Sequence, residues 1–226
     1  MPGKPAPSNS SRDTALSRVE VVGAAIRLID AEGIDAFSMR RLAAALDITG
    51  PALYWHFDNR DELLGAAAAA VLDQVDSELR RDEPWDDAIR RMLTSLWETS
   101  KRHRGLLDIL QTQPLRIGSG QRLLQAVLIT LRQAGFESDV AVDHTRSLLW
   151  LTFGLIRGSA ATRERMGTDA GVDTRLDIGE ITPDEMPAIA TCLPRLATLD
   201  MDALFVHTLD IAMRGLGSPA QADNQG

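Results

Sequence analysis

The chain has 226 residues and a formal net charge of −8 at pH 7, with 44% hydrophobic and 25% charged residues. This length can bury a substantial core, in one large domain or two small ones. The negative charge argues against a generally cationic nucleic-acid-binding protein, so any contact with phosphates must come from a local cluster of basic residues.

The single cysteine, Cys192, excludes an internal disulfide and a cysteine-based zinc site, and is typical of a reducing cytoplasm. Cys192 itself is expected to be a small buried hydrophobe rather than a redox sensor. Met1–Asp13 lacks the apolar stretch of a signal peptide, and the apolar run Leu148–Ile156 is too short to span a bilayer. We therefore expect a soluble, cytoplasmic protein without membrane contact.

Residues 1–16 and 217–226 are expected to be disordered tails, because they are polar and show no periodicity. A basic arm near Arg12 and Arg18 that touches DNA is an alternative for the first tail. Between the tails only helical patterns occur, which predicts an all-α fold. We expect a three-helix domain over residues 17–64 and a larger helical domain over residues 65–216.

The first predicted helix begins at Ser17 and ends at Gly33. Ser17 and Glu20 have the spacing of a capping box, in which each side chain accepts a hydrogen bond from the other residue's backbone amide. Its predicted inner face consists of apolar residues at helical spacing: Val22, Ala25, Ile26 and Ile29.

Two short helices joined by a tight turn are predicted next. Ser38 caps the first, whose inner face is Leu42, Ala43 and Leu46, and Thr49 caps the second, with Pro51 in its first turn. Asp47 lies in the turn, where a left-handed backbone is often needed and which Asp tolerates. This pattern is typical of a helix-turn-helix, which presents its second helix to the DNA major groove.

The second of these helices has more aromatic and polar residues than a core requires. Leu53 and Phe57 are four residues apart and are expected to face inward. Tyr54 and His56 then lie on other faces, where their donors can reach phosphate oxygens. A structural interpretation remains open, in which the aromatic residues form a small core.

Four further residues are candidates for DNA contact. The Ala52 methyl group can contact thymine, and Gly50 lets the backbone approach DNA closely. Arg40 can reach a base edge or a phosphate. Arg60 is expected beside free helix-terminal amides, which favour phosphate binding. The alternative is that both arginines are merely solvated.

A second capping box, Asn59 with Glu62, opens a fourth helix that is expected to continue toward Glu83, before Pro84. The remaining predicted elements are Trp85–His103, Gly105–Thr112, Gly120–Ala134, Ser138–Met166, a polar loop at Gly167–Ile181, a helix from the Thr182–Glu185 capping box to about Thr198, and Asp202–Gly215.

Polar and aromatic residues on the apolar helical faces predict an effector pocket. The candidates are Trp97, Gln111, Thr112, Gln113, Trp150 and Phe153. For Trp97, Trp150 and Phe153 ordinary core packing is an equally good interpretation. His103, between two arginines, is expected on the surface, and His144 has no partner at metal-ligand spacing.

The apolar run of the long helix and one face of the last helix present more apolar surface than one subunit can bury. Gly154 and Gly158, four residues apart, allow another helix to come close. This predicts a homodimer held by a four-helix bundle. The expected interface residues are Leu148, Leu151, Leu155, Gly158, Leu204, Phe205, Leu209 and Ala212.

Residues 17–64 resemble the N-terminal DNA-binding domain of the TetR family of bacterial transcriptional regulators. The resemblance rests on residues 31–43, AEGIDAFSMRRLA, and residues 51–64, PALYWHFDNRDELL. It implies a ligand-responsive regulator, most often a repressor, that binds a palindromic double-stranded DNA operator as a homodimer and is released by a small organic effector. It implies that the following residues lie at or near DNA: Ser38, Arg40, Thr49, Gly50, Ala52, Tyr54, His56 and Arg60.

The C-terminal part resembles the tetracycline-repressor subclass at Gln111–Pro114, Leu151–Gly154 and Asp202–Phe205. Members that bind magnesium–tetracycline place histidines at the positions aligned with Asp76 and Ile109. Because isoleucine cannot ligate a metal, the sequence predicts an effector that is sensed without a chelated metal, and neither a metal site nor a cofactor.

The sequence leaves alternatives to this function. A transcriptional activator or a ligand-independent regulator would have the same fold. A helical enzyme that uses His144 or Cys192 is not supported by any catalytic motif or glycine-rich phosphate loop. A module whose third helix docks on a partner protein is a further alternative.

Overall fold

The computed structural model describes residues 16–103, 105, 118–166, 174–175, 184, 186–196 and 198–217. Its helices are α1 Arg18–Glu32, α2 Met39–Ala45, α3 Gly50–Tyr54, α4 Arg60–Leu72, α5 Trp85–Arg102, α6 Gly118–Ala134, α7 Ser138–Met166, α8 Pro187–Leu196 and α9 Met201–Gly215. The predicted all-α fold is confirmed. One short antiparallel pair, which was not predicted, joins β1 Thr174–Arg175 to β2 Thr198–Leu199.

The chain divides into two compact units. The first comprises Met1–Arg80 with Thr94–Val127, and the second comprises Arg81–Leu93 with Leu128–Gly226. Helix α5 therefore contributes residues to both units. The predicted boundary between residues 64 and 65 lies inside α4 and stays a prediction.

The start and end of α1 follow the prediction. The Oγ atom of Ser17 accepts a hydrogen bond from the Glu20 amide at 3.2 Å, and the Ser17 amide donates to Oε2 of Glu20 at 2.7 Å. Gly33 ends the helix with φ +82°, a left-handed conformation that glycine adopts without steric cost. This capping box fixes where the first helix of the bundle begins.

Helices α2 and α3 contact each other across the predicted turn. The Ser38 Oγ atom accepts from the Arg41 amide at 3.2 Å. Asp47 has φ +55°, which confirms the expected left-handed turn position. Leu53 and Phe57 are fully buried, as predicted.

The predicted side-chain cap at Thr49 is wrong, although Thr49 is the residue before α3. The amide of Ala52, the third residue of α3, donates to the Thr49 backbone oxygen at 3.1 Å. The second residue, Pro51, has no amide to donate. The usual targets of a capping hydroxyl are therefore absent or occupied, and α3 has no side-chain cap.

The core of the first unit is built from α1 to α4. Val21 and Ala24 are more deeply buried than Val22 and Ile26, which were expected on the inner face of α1. The buried cluster contains Val21, Ala24, Ala25, Ile29, Phe37, Leu42, Ala43, Leu53, Phe57, Leu63, Leu64, Ala67 and Val71. This core holds the short helices α2 and α3 in place.

Helix α4 ends at Leu72 and not near Glu83 as expected. Backbone hydrogen bonds of helical type continue up to the Val75 amide, which donates to the Leu72 backbone oxygen at 3.1 Å, and contacts with other helices also hold the residues after Leu72. The Asp76 amide donates to the Ser95 Oγ atom at 2.8 Å, and Asp73 forms an ion pair with Arg122. The local sequence pattern could not predict these contacts, because the partner residues are far away in the sequence.

Helix α8 begins at Pro187, later than the expected start after Thr182. Thr182, Pro183 and Glu185 of the predicted start lie outside the described residues. Of the predicted helix Gly105–Thr112 only Gly105 is among the described residues.

The long helix α7 coincides with the predicted Ser138–Met166, and α9 follows an Asp200 cap. The two helices pack against each other in the second unit, with Leu148, Phe205 and Leu209 buried. No helix in the described part of the chain is long and apolar enough to cross a membrane.

Candidate functional site

The end of α3 and the turn after it expose two aromatic side chains. Tyr54 is 55% exposed and Trp55 is 88% exposed, whereas His56 is half-buried. Trp55 was not among the predicted DNA contacts. The pattern did contain the signal, because Leu53 and Phe57 occupy the inner face and leave Trp55 outside it. Aromatic rings with this exposure contribute little to the core of the unit.

At the start of α3 one predicted contact is wrong. Ala52 is only 5% exposed, since it lies on the covered side of α3 beside Leu53, and its methyl group does not face outward. Gly50 differs. A Cβ atom added there would meet no heavy atom within 4 Å, so the fold of the unit does not require a glycine at this position.

The two arginines of α2 have different surroundings. Arg41 forms an ion pair with Glu32 at 2.6 Å and donates to the Ala36 backbone oxygen. Arg40 is exposed and has no ion pair or hydrogen bond within the described part of the chain. Arg40 is therefore the arginine of α2 that is available to a ligand.

At the start of α4 one helix amide, that of Glu62, has a side-chain cap, and the amide of Asp58 before the helix is also bound. Asn59 Oδ1 accepts from the Glu62 amide at 2.8 Å, and Glu62 Oε2 accepts from the Asp58 amide at 2.7 Å. Arg60 itself donates to the Ile34 backbone oxygen at 3.3 Å. Its exposed guanidinium lies beside this helix start, where the Glu62 amide is capped by Asn59, and phosphate binding there stays a prediction.

Arg18 opens α1 instead of belonging to a tail. Its guanidinium carbon lies 3.9 Å from the centroid of the Phe57 ring. Nη1 donates to the His56 backbone oxygen, and Nη2 donates to Oε1 of Glu62 at 2.6 Å. The sequence pattern gave no sign of these contacts, because their partners are 38 to 44 residues away.

The pKa values of Glu62 and Glu20 are lowered. Hydrogen bonds from Arg18 and from the Asp58 amide lower the pKa of Glu62. Hydrogen bonds from the Ser17 amide and hydroxyl lower the pKa of Glu20. In both cases the donors stabilise the ionised carboxylate, so the caps are strongest when these groups are charged.

The residues predicted to line the effector pocket differ in their burial. Trp97, in the first unit, is 2% exposed, and Phe153, in the second, is half-buried. Trp150 is 74% exposed, which excludes the alternative of core packing, and its place in an effector pocket stays a prediction. Gln111, Thr112 and Gln113 lie outside the described residues, as does Ile109.

Two expectations about single residues are also wrong. Cys192 is exposed on α8. The His103 side chain is only 14% exposed, with Nδ1 at 2.8 Å from Asp30 Oδ2 and Nε2 at 3.1 Å from Gln74 Oε1. His144 contacts the edge of the Phe136 ring. Within the described ranges no group of three or more His, Cys, Asp or Glu side chains is placed to hold a metal ion.

Three of the predicted dimer residues, Leu148, Phe205 and Leu209, are buried between α7 and α9 of one chain and cannot be exposed interface residues. A small apolar groove between the two helices is lined by Leu148, Leu151, Thr152, Leu155, Phe205, Thr208, Leu209 and Ala212.

Beside this groove each helix carries an outer stripe with the same spacing. On α7 the stripe is Ser147, Leu151, Gly154 and Gly158, and on α9 it is Leu204, Thr208, Ile211 and Gly215. Leu151 is 45% exposed and Ile211 is 58% exposed. A Cβ atom added at Gly154, Gly158 or Gly215 would meet nothing within 4 Å.

Two family models match the chain. The model of bacterial regulatory proteins of the tetR family matches residues 21–67, and the tetracyclin repressor-like C-terminal domain matches residues 79–218. The class D tetracycline repressor protein of Escherichia coli is 36% identical over 208 residues, which are 88% of each protein.

Two solved structures are similar to the chain. ActR from Streptomyces coelicolor, in complex with actinorhodin, has a TM-score of 0.74 and 25% identity, and the match covers 89% of this chain and 96% of ActR. BioQ with its double-stranded DNA operator has a TM-score of 0.57 and 28% identity, and the match covers 67% of this chain and 93% of BioQ.

Proposed function

Because the chain belongs to the tetR family of bacterial regulatory proteins, we propose that it binds a palindromic DNA operator as a homodimer, represses transcription there and is released by a small organic effector. Members of the family are DNA-binding transcriptional regulators and not enzymes. The observation that carries the proposal is the exposure of Tyr54 and Trp55 at the end of α3. Because bacterial DNA lies in the cytoplasm, the proposed activity takes place there.

The proposed DNA-binding surface is formed by α3, the turn after it and the start of α2. The Tyr54 hydroxyl, the Trp55 indole N–H and the His56 ring supply donors for phosphate oxygens or base edges. Arg40 adds a positive charge that has no partner among the described residues. The surface comprises Ser38, Arg40, Thr49, Gly50, Tyr54, Trp55 and His56, with Arg60 at its edge; Ala52 is left out because it is buried.

The proposed dimer uses the outer stripes of α7 and α9. Leu151 and Ile211 supply exposed apolar side chains, and the glycines leave room for a facing helix. Pairing both stripes with those of a second chain forms a four-helix bundle and covers apolar surface that one chain leaves in water. The buried residues Leu148, Phe205 and Leu209 support the interface from behind.

A dimer explains how a short helix can read DNA selectively. Two copies of α3 must lie about 34–36 Å apart to enter successive major grooves on one side of the duplex. An effector that favours another separation lowers operator affinity by its preference for that other state.

We infer an organic effector that is bound without a chelated metal. ActR was solved with actinorhodin, and the repressor relatives are named for tetracycline. Ile109 cannot replace a metal-binding histidine. The half-buried Phe153 and the buried Trp97 remain candidate contacts, each within its own unit.

The proposal is tested by selection of duplexes from a random-sequence DNA pool, followed by gel shift and a transcription assay on a promoter that carries the selected site. Recovery of a two-fold symmetric sequence and lower transcript yield support a repressor. A higher yield identifies an activator, and no enrichment of any sequence contradicts specific DNA binding. Addition of tetracycline or actinorhodin, with and without magnesium, to the bound duplex tests release.

A further inference from the structure

We propose that Arg18 is a positioning residue for the recognition segment, which we define as residues 50–57. It holds the end of this segment against α1 and α4 and does not contact DNA. The inference rests on the proposed function, since it concerns how the DNA-binding surface is oriented.

The recognition segment has little support of its own. Helix α3 contains five residues and has no side-chain cap at its start. An isolated helix of this length is not stable in water, because too few hydrogen bonds offset the cost of nucleation. Its orientation therefore depends on the packing of Leu53 and Phe57 and on what holds the segment's end.

Arg18 contacts that end in three ways. Its guanidinium stacks over the Phe57 ring, with 3.9 Å between the guanidinium carbon and the ring centroid. One nitrogen donates to the His56 backbone oxygen, and another donates to the Glu62 carboxylate at 2.6 Å. The second oxygen of Glu62 accepts from the Asp58 amide at 2.7 Å. Backbone groups on both sides of Phe57 are thus tied to α1 and α4.

These contacts need an arginine. The planar guanidinium can stack on a ring and donate in two directions at once, whereas the ammonium group of lysine is a point charge on a flexible stem. The neighbouring Glu62 carboxylate also offsets the positive charge of Arg18. A group with its donors and charge engaged in this way is better suited to fixing the backbone than to binding a phosphate.

The test compares two DNA probes, the duplex selected by the wild-type chain and a scrambled duplex of the same composition. The variants are Arg18→Gln, Arg18→Lys and Glu62→Gln, with Arg27→Gln, an exposed arginine on the same helix, as the matched control. Affinities are measured by fluorescence anisotropy at several salt concentrations, and the folded fraction by circular dichroism.

We expect roughly tenfold weaker binding of the selected duplex by all three variants, about 1.4 kcal/mol. Binding of the scrambled duplex and the salt dependence should be unchanged, because phosphate contacts remain. Arg27→Gln should behave like the wild-type chain. The loss in the Arg18→Gln/Glu62→Gln double variant should be smaller than the sum of the two single losses.

Three results overturn the inference. Equal losses on both duplexes, a salt slope shallower by about 0.9 in Arg18→Gln and rescue by Arg18→Lys identify a phosphate contact. Equal losses that follow a smaller folded fraction identify a purely structural role. Wild-type affinity for the selected duplex in the folded Arg18→Gln variant shows that Arg18 has no role in DNA binding. A wild-type chain that does not distinguish the two duplexes contradicts instead the proposed function on which the inference rests.

Discussion

The imidazole of His103 lies within hydrogen-bond distance of the Asp30 carboxylate, with 2.8 Å between Nδ1 and Oδ2. His103 follows the last residue of α5, and Asp30 lies in the last turn of α1. The same ring reaches Gln74 Oε1 at 3.1 Å, so one side chain joins three parts of the first unit. Gly105 lies close by, and a Cβ atom there would come within 2.8 Å of Ile29.

His103→Ala should lower the free energy of unfolding of the first unit by about 1–2 kcal/mol, because it leaves the partly buried Asp30 carboxylate without its donor. Urea unfolding followed by circular dichroism measures the change. His103→Ala combined with Asp30→Ala should cost less than the sum of the single variants. Fully additive losses would show that the two side chains do not interact.

Arg40→Ala should weaken operator binding by about 1–3 kcal/mol, as loss of a direct DNA contact does. Arg41→Ala is the matched control, since Arg41 lies on the same helix as Arg40 but forms an ion pair with Glu32 of α1. The measurement is anisotropy on the selected duplex. A larger loss of DNA affinity in Arg41→Ala than in Arg40→Ala would show that Arg41, and not Arg40, makes the DNA contact.

Tyr54→Ala should abolish detectable operator binding while the dimer stays folded, because the side chain is 55% exposed and contributes little to the core. Gel shift and size-exclusion chromatography measure the two properties. Unchanged DNA affinity in this variant would contradict the assignment of α3 as the recognition helix.

Gly50→Ala should impair DNA binding without harming the fold. The added methyl group meets nothing in the unit, and replacing a helical glycine stabilises by about 0.4–1 kcal/mol. Gly65→Ala is the matched control, because a Cβ atom at Gly65 in α4 also meets nothing within 4 Å. The midpoint temperature of thermal unfolding should rise slightly in both variants, and only Gly50→Ala should lose operator affinity. Equal DNA affinities would mean that no close approach occurs at Gly50.

Ile211→Arg should convert the dimer to a monomer, because it places a charge in the proposed bundle. Val206→Arg, at a residue that is 56% exposed on α9 but off the outer stripe, is the matched control and should remain dimeric. Sedimentation velocity distinguishes the two states. A dimeric Ile211→Arg variant together with a monomeric Val206→Arg variant would show that the interface lies on another face of α9.

Acid should destabilise the first unit through Glu62. Its pKa is lowered from 4.5 in the folded chain, so the unfolded state takes up protons first as the pH falls. The stabilising contribution is therefore present above about pH 4.5 and is lost as the pH falls through the folded pKa. Thermal midpoints between about pH 3 and pH 7 should fall less steeply in Glu62→Gln than in the wild-type chain or in Asp61→Asn. Parallel curves for all three would show that Glu62 contributes nothing.

Features set by nearby residues could be predicted from the sequence. The Ser17 capping box, the Asn59 cap and the left-handed Asp47 each depend on residues within one helical turn, and all three are present. The exposure of Tyr54 followed from the positions of Leu53 and Phe57. Local pattern was sufficient for these features because their physical causes are local.

Features set by distant residues could not be predicted in this way. His103 is covered because Asp30 and Gln74 meet it, and both are far away in sequence. Ala52 and Trp150 are ordinary helical residues whose burial depends on which side of their helix is packed. The contacts of Arg18 with the recognition segment are of the same kind.

We propose that two copies of α3, fixed in a homodimer, enter successive major grooves of one operator. Analytical ultracentrifugation of the chain with the selected duplex, combined with hydroxyl-radical footprinting, tests it most directly. We expect two chains per duplex and two protected patches with centres about 10 base pairs apart on one side of the DNA. A complex of one chain per duplex with a single protected patch would contradict it.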